Sequence, residues 1–279
     1  MIWKKAPGNK NQEVVQGGKM SEKAKETALV LGQECIGTDI FSLWLQTKTI
    51  ARNAKPGQFL SLYTGDGSKL LPRPISICEI DGENGRLRLV YRVTGKNTGT
   101  EMFSRLNEGD TVEILGPLGN GFPLKEAEGK RIFLMGGGIG VPPLLETAKQ
   151  VQAEVTAILG YRDELYLNHE FEKYGKVYVA TEDGSAGTKG NVMDAIRENE
   201  LEADVIFACG PRPMLKAIKA YALEKNIPCW ISMEERMACG IGACLGCVCQ
   251  SKEVDHHSHV HNKRVCKDGP VFLSTEVEL

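Results

Sequence analysis

The spacing of four cysteines constrains this chain more than any other feature. Cys239, Cys244 and Cys247 are separated by four and then two residues, and eighteen residues lie between Cys247 and Cys266. That is the plant-type spacing C-x4-C-x2-C…C of a [2Fe–2S] site. Three thiolates must turn inward around one small cluster while the backbone wraps closely over it. Gly240, Gly242 and Gly246 permit the positive φ and close approach this requires. A zinc site or a set of buried thiols is the competing reading, but zinc sites more often show paired C-x2-C knuckles.

With 279 residues the chain has room for two domains and a small third one, so the cysteines are not needed as staples. Nine cysteines, an odd number clustered at one end, argue against a secreted disulfide framework. A net charge of −2 points to no nucleic-acid partner. The first residues lack the apolar core of a signal peptide, and no run of eighteen apolar residues exists. A reducing cytoplasm is expected, with no membrane span. Residues 1–24 are polar and aperiodic and read as a flexible N-terminal extension.

From Lys25 to Leu124 the pattern is all β. Thr27–Gly32, Ile40–Gln46, Gln58–Thr64, Ile75–Ile80, Leu87–Thr94 and Thr111–Leu115 are short runs of β-formers, broken by turns such as Lys55-Pro56-Gly57 and Glu108-Gly109-Asp110. Regular short strands predict a barrel or sandwich. A helix is expected over Gly99–Leu106, capped by Thr100. Arg73-Pro74-Ile75-Ser76 joins a forked cation, a rigid residue and a hydroxyl, which suits a flavin pyrophosphate and ring; a plain strand start with a surface arginine is the bland alternative. Tyr91-Arg92 adds a ring for stacking and a second cation, although Tyr91 alone reads equally as a half-buried strand residue. Gly95 to Thr100 forms an amide-rich turn into a helix start, an anion site. Gly116 to Phe122 reads as a closing loop between domains.

From Lys130 the period changes. Strands at Arg131–Met135, Glu154–Tyr161, Lys176–Thr181, Asp204–Cys209 and Cys229–Met233 alternate with helices near Pro142–Gln152, Asn168–Tyr174, Asn191–Glu198 and Pro213–Lys225. This alternation predicts a parallel sheet with helices on its faces. The first strand ends in Gly136, Gly137, Gly138 and Gly140, which let backbone amides approach a pyrophosphate, although Val141 breaks the G-x-G-x-x-G pattern. Asp163, at the end of the next strand, suits an adenosine ribose; Arg162 beside it leaves NAD and NADP both open, with NAD preferred. Cys209, Gly210 and Pro211 close the fourth strand where such sheets bind ligands, making Cys209 the residue nearest the expected nicotinamide. No protein nucleophile or general acid is expected, because hydride transfer needs alignment. Glu182-Asp183-Gly184-Ser185, acidic, small and turn-forming, reads as a solvated turn, with a lining of the cofactor cleft as the alternative.

Glu234 and Glu235 precede the cysteine run as surface charges or a domain contact. Cys249 is left as a free thiol, because Cys239, Cys244, Cys247 and Cys266 already satisfy the spacing. Asp255 to His261 holds four of the five histidines and reads as a solvated loop between ligands, with a metal site as the alternative.

Taken together, Arg73 to Ser76, the Gly116–Phe122 loop, Gly136 to Gly140, Cys209-Gly210-Pro211, the Cys239–Cys249 run and Val265-Cys266-Lys267-Asp268-Gly269-Pro270-Val271-Phe272 resemble the electron-transfer subunits of dihydroorotate dehydrogenase B, within the ferredoxin–NADP reductase group. The resemblance covers about Lys25 to the C-terminus. It implies a multidomain β and α/β fold: a six-stranded antiparallel FAD-binding β-barrel (25–126), a Rossmann-like parallel-sheet NAD domain (127–231) and a small C-terminal [2Fe–2S] domain (232–279). It carries FAD contacts onto Arg73, Pro74, Ile75, Ser76, Val90, Tyr91, Arg92, Gly99 and Thr100, and cluster ligation onto Cys239, Cys244, Cys247 and Cys266. The turn Gly95–Thr100 is longer than the Gly-Lys-Gly-Thr of the family. The resemblance further implies an FMN-containing catalytic partner, a heterotetramer of two plus two chains, and electron transfer from dihydroorotate through the cluster and FAD to NAD+ in pyrimidine biosynthesis. Rival readings keep these cofactors in another NAD(P)-linked reductase or hydrogenase, or in a redox sensor without turnover.

Overall fold

The computed structural model describes residues 23–254 and 259–279. The expected N-terminal extension lies outside the described residues except for its last two, and so does the Asp255–Ser258 part of the histidine-rich loop.

Six strands close into an antiparallel barrel in the order β1-β2-β5-β4-β3-β6: β1 (Ala24–Gly37), β2 (Ile40–Gln46), β3 (Phe59–Tyr63), β4 (Arg73–Asp81), β5 (Arg86–Arg92) and β6 (Thr111–Leu118). Alternating residues face inward, as a strand's two-residue period requires. Leu43 and Leu45 of β2, Leu60 and Leu62 of β3, and Leu87 and Leu89 of β5 are all fully buried. Each contributes about 1.5–3 kcal/mol relative to exposure. The 14-residue β1 pairs with β6 through its first half and with β2 along most of the rest, and irregularities near Gly32 and Gly37 break its register with β2. Such bulges bend a strand around a barrel wall.

Two short helices complete the barrel, α1 (Ile50–Asn53) and α2 (Gly99–Phe103). Helix α1 is too short to leave a periodic signal; the Glu26 carboxylate holds its start by accepting from the backbone N–H groups of Lys48, Thr49 and Ile50. Helix α2 is shorter than expected, and its cap is Thr98, whose Oγ1 accepts from Glu101 N. Thr100 is not free to cap, because its own hydroxyl accepts from Thr94 N at 3.1 Å.

The second unit is a seven-stranded sheet of order β10-β9-β8-β7-β11-β12-β15. Its elements are β7 (Arg131–Gly137), α3 (Pro142–Gln150), β8 (Glu154–Tyr161), α4 (Asn168–Phe171), β9 (Gly175–Thr181), β10 (Thr188–Lys189), α5 (Val192–Glu198), β11 (Val205–Cys209), α6 (Arg212–Lys225) and β12 (Cys229–Ser232). These strands pair in parallel. The chain moves outward from β7 to β10, then returns to β11 on the other side. The switch point therefore falls at the carboxyl ends of β7 and β11, where open α/β sheets bind ligands.

After β12 the chain leaves the sheet for the cysteine segment, which carries the small hairpin β13 (Val248–Gln250) and β14 (Asn262–Arg264). It then comes back: β15 (Val271–Leu273) pairs antiparallel with β12. The cysteine segment thus begins and ends on one sheet edge. Among the described residues no helix is long and apolar enough to cross a membrane.

Candidate redox site

The flavin signature gathers on one wall of the barrel. A cleft of about 270 Å³ is lined by Arg73, Pro74, Ile75 and Ser76 of β4, by Val90, Tyr91 and Arg92 of β5, and by Thr100 of α2. Arg73 is held by its Nη1, which donates to Leu71 O at 2.7 Å. Its side chain lies directly over Gly99: a Cβ there would come within 2.9 Å of Arg73 Nε. Guanidinium and helix start therefore share one small space, as an anion cradle requires. The backbone amides and the forked cation fit the pyrophosphate of FAD.

One expected role is corrected. The Tyr91 ring is packed into the barrel core, 1% exposed, stacked on Phe41 and edge-on to Phe103. Its hydroxyl donates to Gln33 Oε1 at 2.7 Å. The ring cannot stack on a flavin. The far wall of the cleft supplies Ile139, Ser232, Met233, Glu234, Glu235 and Met237, which the sequence left unassigned except as possible surface or contact charges at the two glutamates. Burial raises the Glu234 carboxyl above its ordinary range.

A second cavity, about 500 Å³, opens at the switch point. Gly137, Gly138, Arg162, Glu182, Asn191 and Pro211 are among its lining residues, and Arg92 lines both cavities. Gly138 takes φ +53° with nothing within 4 Å of where a Cβ would stand, so its peptide is open to a ligand. Gly140 has a packing role: a Cβ there would fall 2.3 Å from Cys209 O. Gly136 likewise abuts Val141 and Leu144. Cys209 is buried at the end of β11, and that burial drives its thiol well above the ordinary range, so it is held as a neutral group. Gly210 lines a smaller adjoining cavity with Pro211, Met233 and Glu234. Asp163 is not among the residues lining the large cavity; it faces Arg162 at 3.7 Å, and its carbonyl accepts from Ser185 Oγ. Glu182 lines the cavity instead, its N–H shared between Tyr161 O and Arg162 O. Of the turn Glu182–Ser185, which is exposed throughout, Glu182 alone is among the residues that line this pocket.

The cysteines meet two by two. Cys239 pairs with Cys244, and Cys247 pairs with Cys266. Burial opposes ionisation of Cys239, but N–H groups of Cys244, Ile241 and Ala243 and the Cys244 thiol outweigh it and bring the thiol down to about 7. Cys247 is lowered chiefly by its bond from Cys266, and Cys266 is raised by the same contact. Backbone N–H groups point at three of the sulfurs: Cys244 N at Cys239 Sγ, Gly246 N at Cys244 Sγ and Cys266 N at Cys247 Sγ, each 3.4 Å. Among the described residues no three His, Cys, Asp or Glu side chains converge on a single-ion position. Two pairs of cysteines, with amide donors aimed at three of the four sulfurs, fit a two-iron cluster. Cys249 stands apart, buried, with Sγ donating to Lys263 O; burial pushes it up to about 11.

The cysteine segment is braced on the barrel. Gly240 sits so close to β3 that a Cβ would meet Ser61 Oγ at 2.8 Å. The loop Gly116–Phe122 clasps the turn of the fourth ligand: Asn120 N donates to Gly269 O, and Asn120 Nδ2 to Asp268 O at 3.0 Å. It is a contact between domains rather than a plain connection. Of the described histidines in the loop, His261 donates from Nδ1 to Lys252 O, a local tie.

These features have counterparts in known proteins. Residues 234–278 match the iron–sulfur cluster binding domain of dihydroorotate dehydrogenase B, and residues 30–122 match the oxidoreductase FAD-binding domain. The electron transfer subunit of dihydroorotate dehydrogenase B (NAD(+)) from Geobacillus sp. (strain WCH70) is 44% identical over 262 residues, covering 91% of this chain and 99% of that protein. The subunit of the same name from Caldanaerobacter subterraneus is 43% identical over 254 residues, covering 91% and 98%. Among solved structures, an NADH-dependent reduced ferredoxin–NADP oxidoreductase studied for flavin-based electron bifurcation superposes with a TM-score of 0.79 at 30% identity, over 91% of this chain and 90% of that one. An Amycolatopsis cytochrome P450 reductase shares the fold at 24% identity and a TM-score of 0.62, over 76% and 69%. With its cysteine pairs, barrel cleft and parallel-sheet pocket in one continuous body, the chain belongs to the family of dihydroorotate dehydrogenase B electron transfer subunits.

Proposed function

We propose that this chain is the electron-transfer subunit of an NAD-linked dihydroorotate dehydrogenase, working with an FMN-bearing catalytic chain that oxidises dihydroorotate to orotate. The observation that carries this reading is the shared wall between the two redox sites. Met237 lines the flavin cleft, and Cys239 follows it by two residues. When bound, a [2Fe–2S] cluster exchanges single electrons while a flavin exchanges one or two, which joins a one-electron donor to a nicotinamide.

The chain's own residues hold and orient. Arg73 and the Gly99–Thr100 amides grip the flavin pyrophosphate, and Pro74 fixes the backbone that aims Ser76 at the ring. Gly137 and Gly138 present peptides to the dinucleotide phosphates. Glu182 lines the adenosine end beside Arg162, and a carboxylate there accepts from a ribose hydroxyl and repels a 2′-phosphate, which favours NAD over NADP. Glu182 takes the role first given to Asp163.

At the cluster rim Ile241 and Leu245 are exposed, 45% and 50%, beside the half-buried Cys239 and Cys244. They form the apolar centre of the face toward the catalytic chain, in a cytoplasmic assembly of two catalytic and two electron-transfer chains. The 30% identity to a ferredoxin–NADP oxidoreductase favours a second reading, with the same cofactors and a different electron partner. Co-purification with the native catalytic chain, followed by dihydroorotate-dependent NAD+ reduction, separates them. Turnover that needs both chains supports the first reading; a stable assembly that reduces NAD+ only from ferredoxin supports the second.

A further inference from the structure

One charged side chain inside the cysteine segment is used by none of the roles above. Arg264 ends β14, two residues before Cys266, and its side chain is only 4% exposed. Its Nη1 donates to Gly242 O at 2.9 Å. Gly242 lies between Cys239 and Cys244, so the guanidinium ties the peptide carrying the first pair of cysteines to the peptide carrying the last. The same residue organises the turn around Cys266. Arg264 N donates to Asp268 Oδ2 at 2.7 Å, Nε lies 3.5 Å from that oxygen, and Arg264 O accepts from Asp268 N. Next to it Cys247 O accepts from Val265 N. The contact is close: Gly242 has φ +83°, and a Cβ there would come within 2.7 Å of Lys267 Cδ.

A cation this well buried is screened little by water or salt. Reduction adds one negative charge to a [2Fe–2S] cluster, and net charge and hydrogen bonding around the sulfurs set its potential. We propose that Arg264 is a positioning residue that raises the reduction potential of the cluster held by Cys239, Cys244, Cys247 and Cys266, with Asp268 as its partial counterweight. The inference rests on the cluster reading. It gives the two residues opposite signs, which a bracing role alone would not.

The test is an anaerobic spectroelectrochemical titration of the full holoprotein, followed by electron paramagnetic resonance. Arg264→Gln keeps a polar side chain and loses the charge; its cluster should be harder to reduce, with the reduced-to-oxidised ratio at fixed potential falling about tenfold. Arg264→Lys keeps the charge and should lie closer to the unsubstituted protein. Asp268→Asn is close to isosteric and should move the potential the other way, so the proposal stays testable even where Arg264→Gln loses its iron. Unshifted potentials, or Arg264→Gln and Asp268→Asn shifting in the same direction, would overturn it. Failure of the cluster reading looks different: the unsubstituted protein would then contain no iron and no sulfide.

Discussion

Arg88 of the barrel reaches across to helix α4 of the nucleotide-binding unit and donates to Glu170 Oε2 at 2.7 Å. The same Nη1 donates to Glu79 at 2.8 Å, and Nε donates to Ser42 Oγ at 2.9 Å. The Arg88 side chain is 8% exposed, so this cluster joins the two domains largely out of water. Beside it Ile80 N donates to Glu146 Oε2 at 2.7 Å. Together these bonds set how the flavin cleft meets the dinucleotide pocket, with Arg92 lining both four residues further along the same strand.

Removing Arg88 leaves Glu79 and Glu170 without their shared cation, and Glu34 without its more distant one. Arg88→Ala should lower stability by about 2 kcal/mol, a buried-pair value discounted for the partly exposed Glu170. A thermal-unfolding cycle with Glu170→Gln should show coupling between the sites. Additive losses would mean that the contact does not join the domains energetically.

Glu182 is expected to set the dinucleotide preference. Glu182→Arg should raise the NADPH-to-NADH ratio of kcat/KM by about tenfold or more, since a guanidinium replaces a carboxylate where a 2′-phosphate would stand. Asp163→Asn should change it less. The reverse order would return the ribose role to Asp163.

Cys249 and Cys244 should separate cleanly. Cys249 donates to a carbonyl, apart from the two thiol pairs. Cys249→Ser should keep iron and acid-labile sulfide at the level of the unsubstituted protein. Cys244→Ser should lose most of both, with the signal of the reduced cluster. Iron loss from Cys249→Ser would make it a ligand.

Glu26 gives a pH signature. Burial opposes its ionisation, but the Thr49 hydroxyl and the N–H groups of Lys48, Thr49 and Ile50 more than offset that and lower its pKa. A lowered carboxylate pKa contributes stability above the unfolded-state value and loses it as pH falls through the lower folded value. Glu26→Gln should therefore destabilise the barrel at pH 7 by about 1 kcal/mol, discounted for partial exposure. The gap in Tm should close as the pH falls below about 4. A constant gap would assign the effect to packing.

The iron–sulfur character of the C-terminal segment was legible because the cysteine spacing is local: four and two residues around glycines leave few other folds for the loop. The barrel and the parallel sheet were legible from their periods. What escaped was decided at a distance. Strand β15 is three residues long and exists only because β12 offers it an edge. Tyr91 carries the residue type of a flavin partner, yet Phe41 and Phe103 draw its ring into the core. Thr98 displaced Thr100 as cap because Thr100 is engaged with Thr94. Glu182 sits in an exposed turn for which the sequence left solvent and cleft both open, and the strand order brings it to the pocket mouth.

The shared wall between flavin cleft and cysteine pairs is tested most directly by electron paramagnetic resonance of the purified chain under anaerobic conditions. With about one FAD and one [2Fe–2S] cluster per chain, NADH should bleach the flavin and bring up the reduced-cluster signal without any partner. Dihydroorotate should produce that signal only when the FMN-bearing chain is added. Bound zinc in place of iron, or a cluster that NADH leaves oxidised while the flavin bleaches, would contradict it.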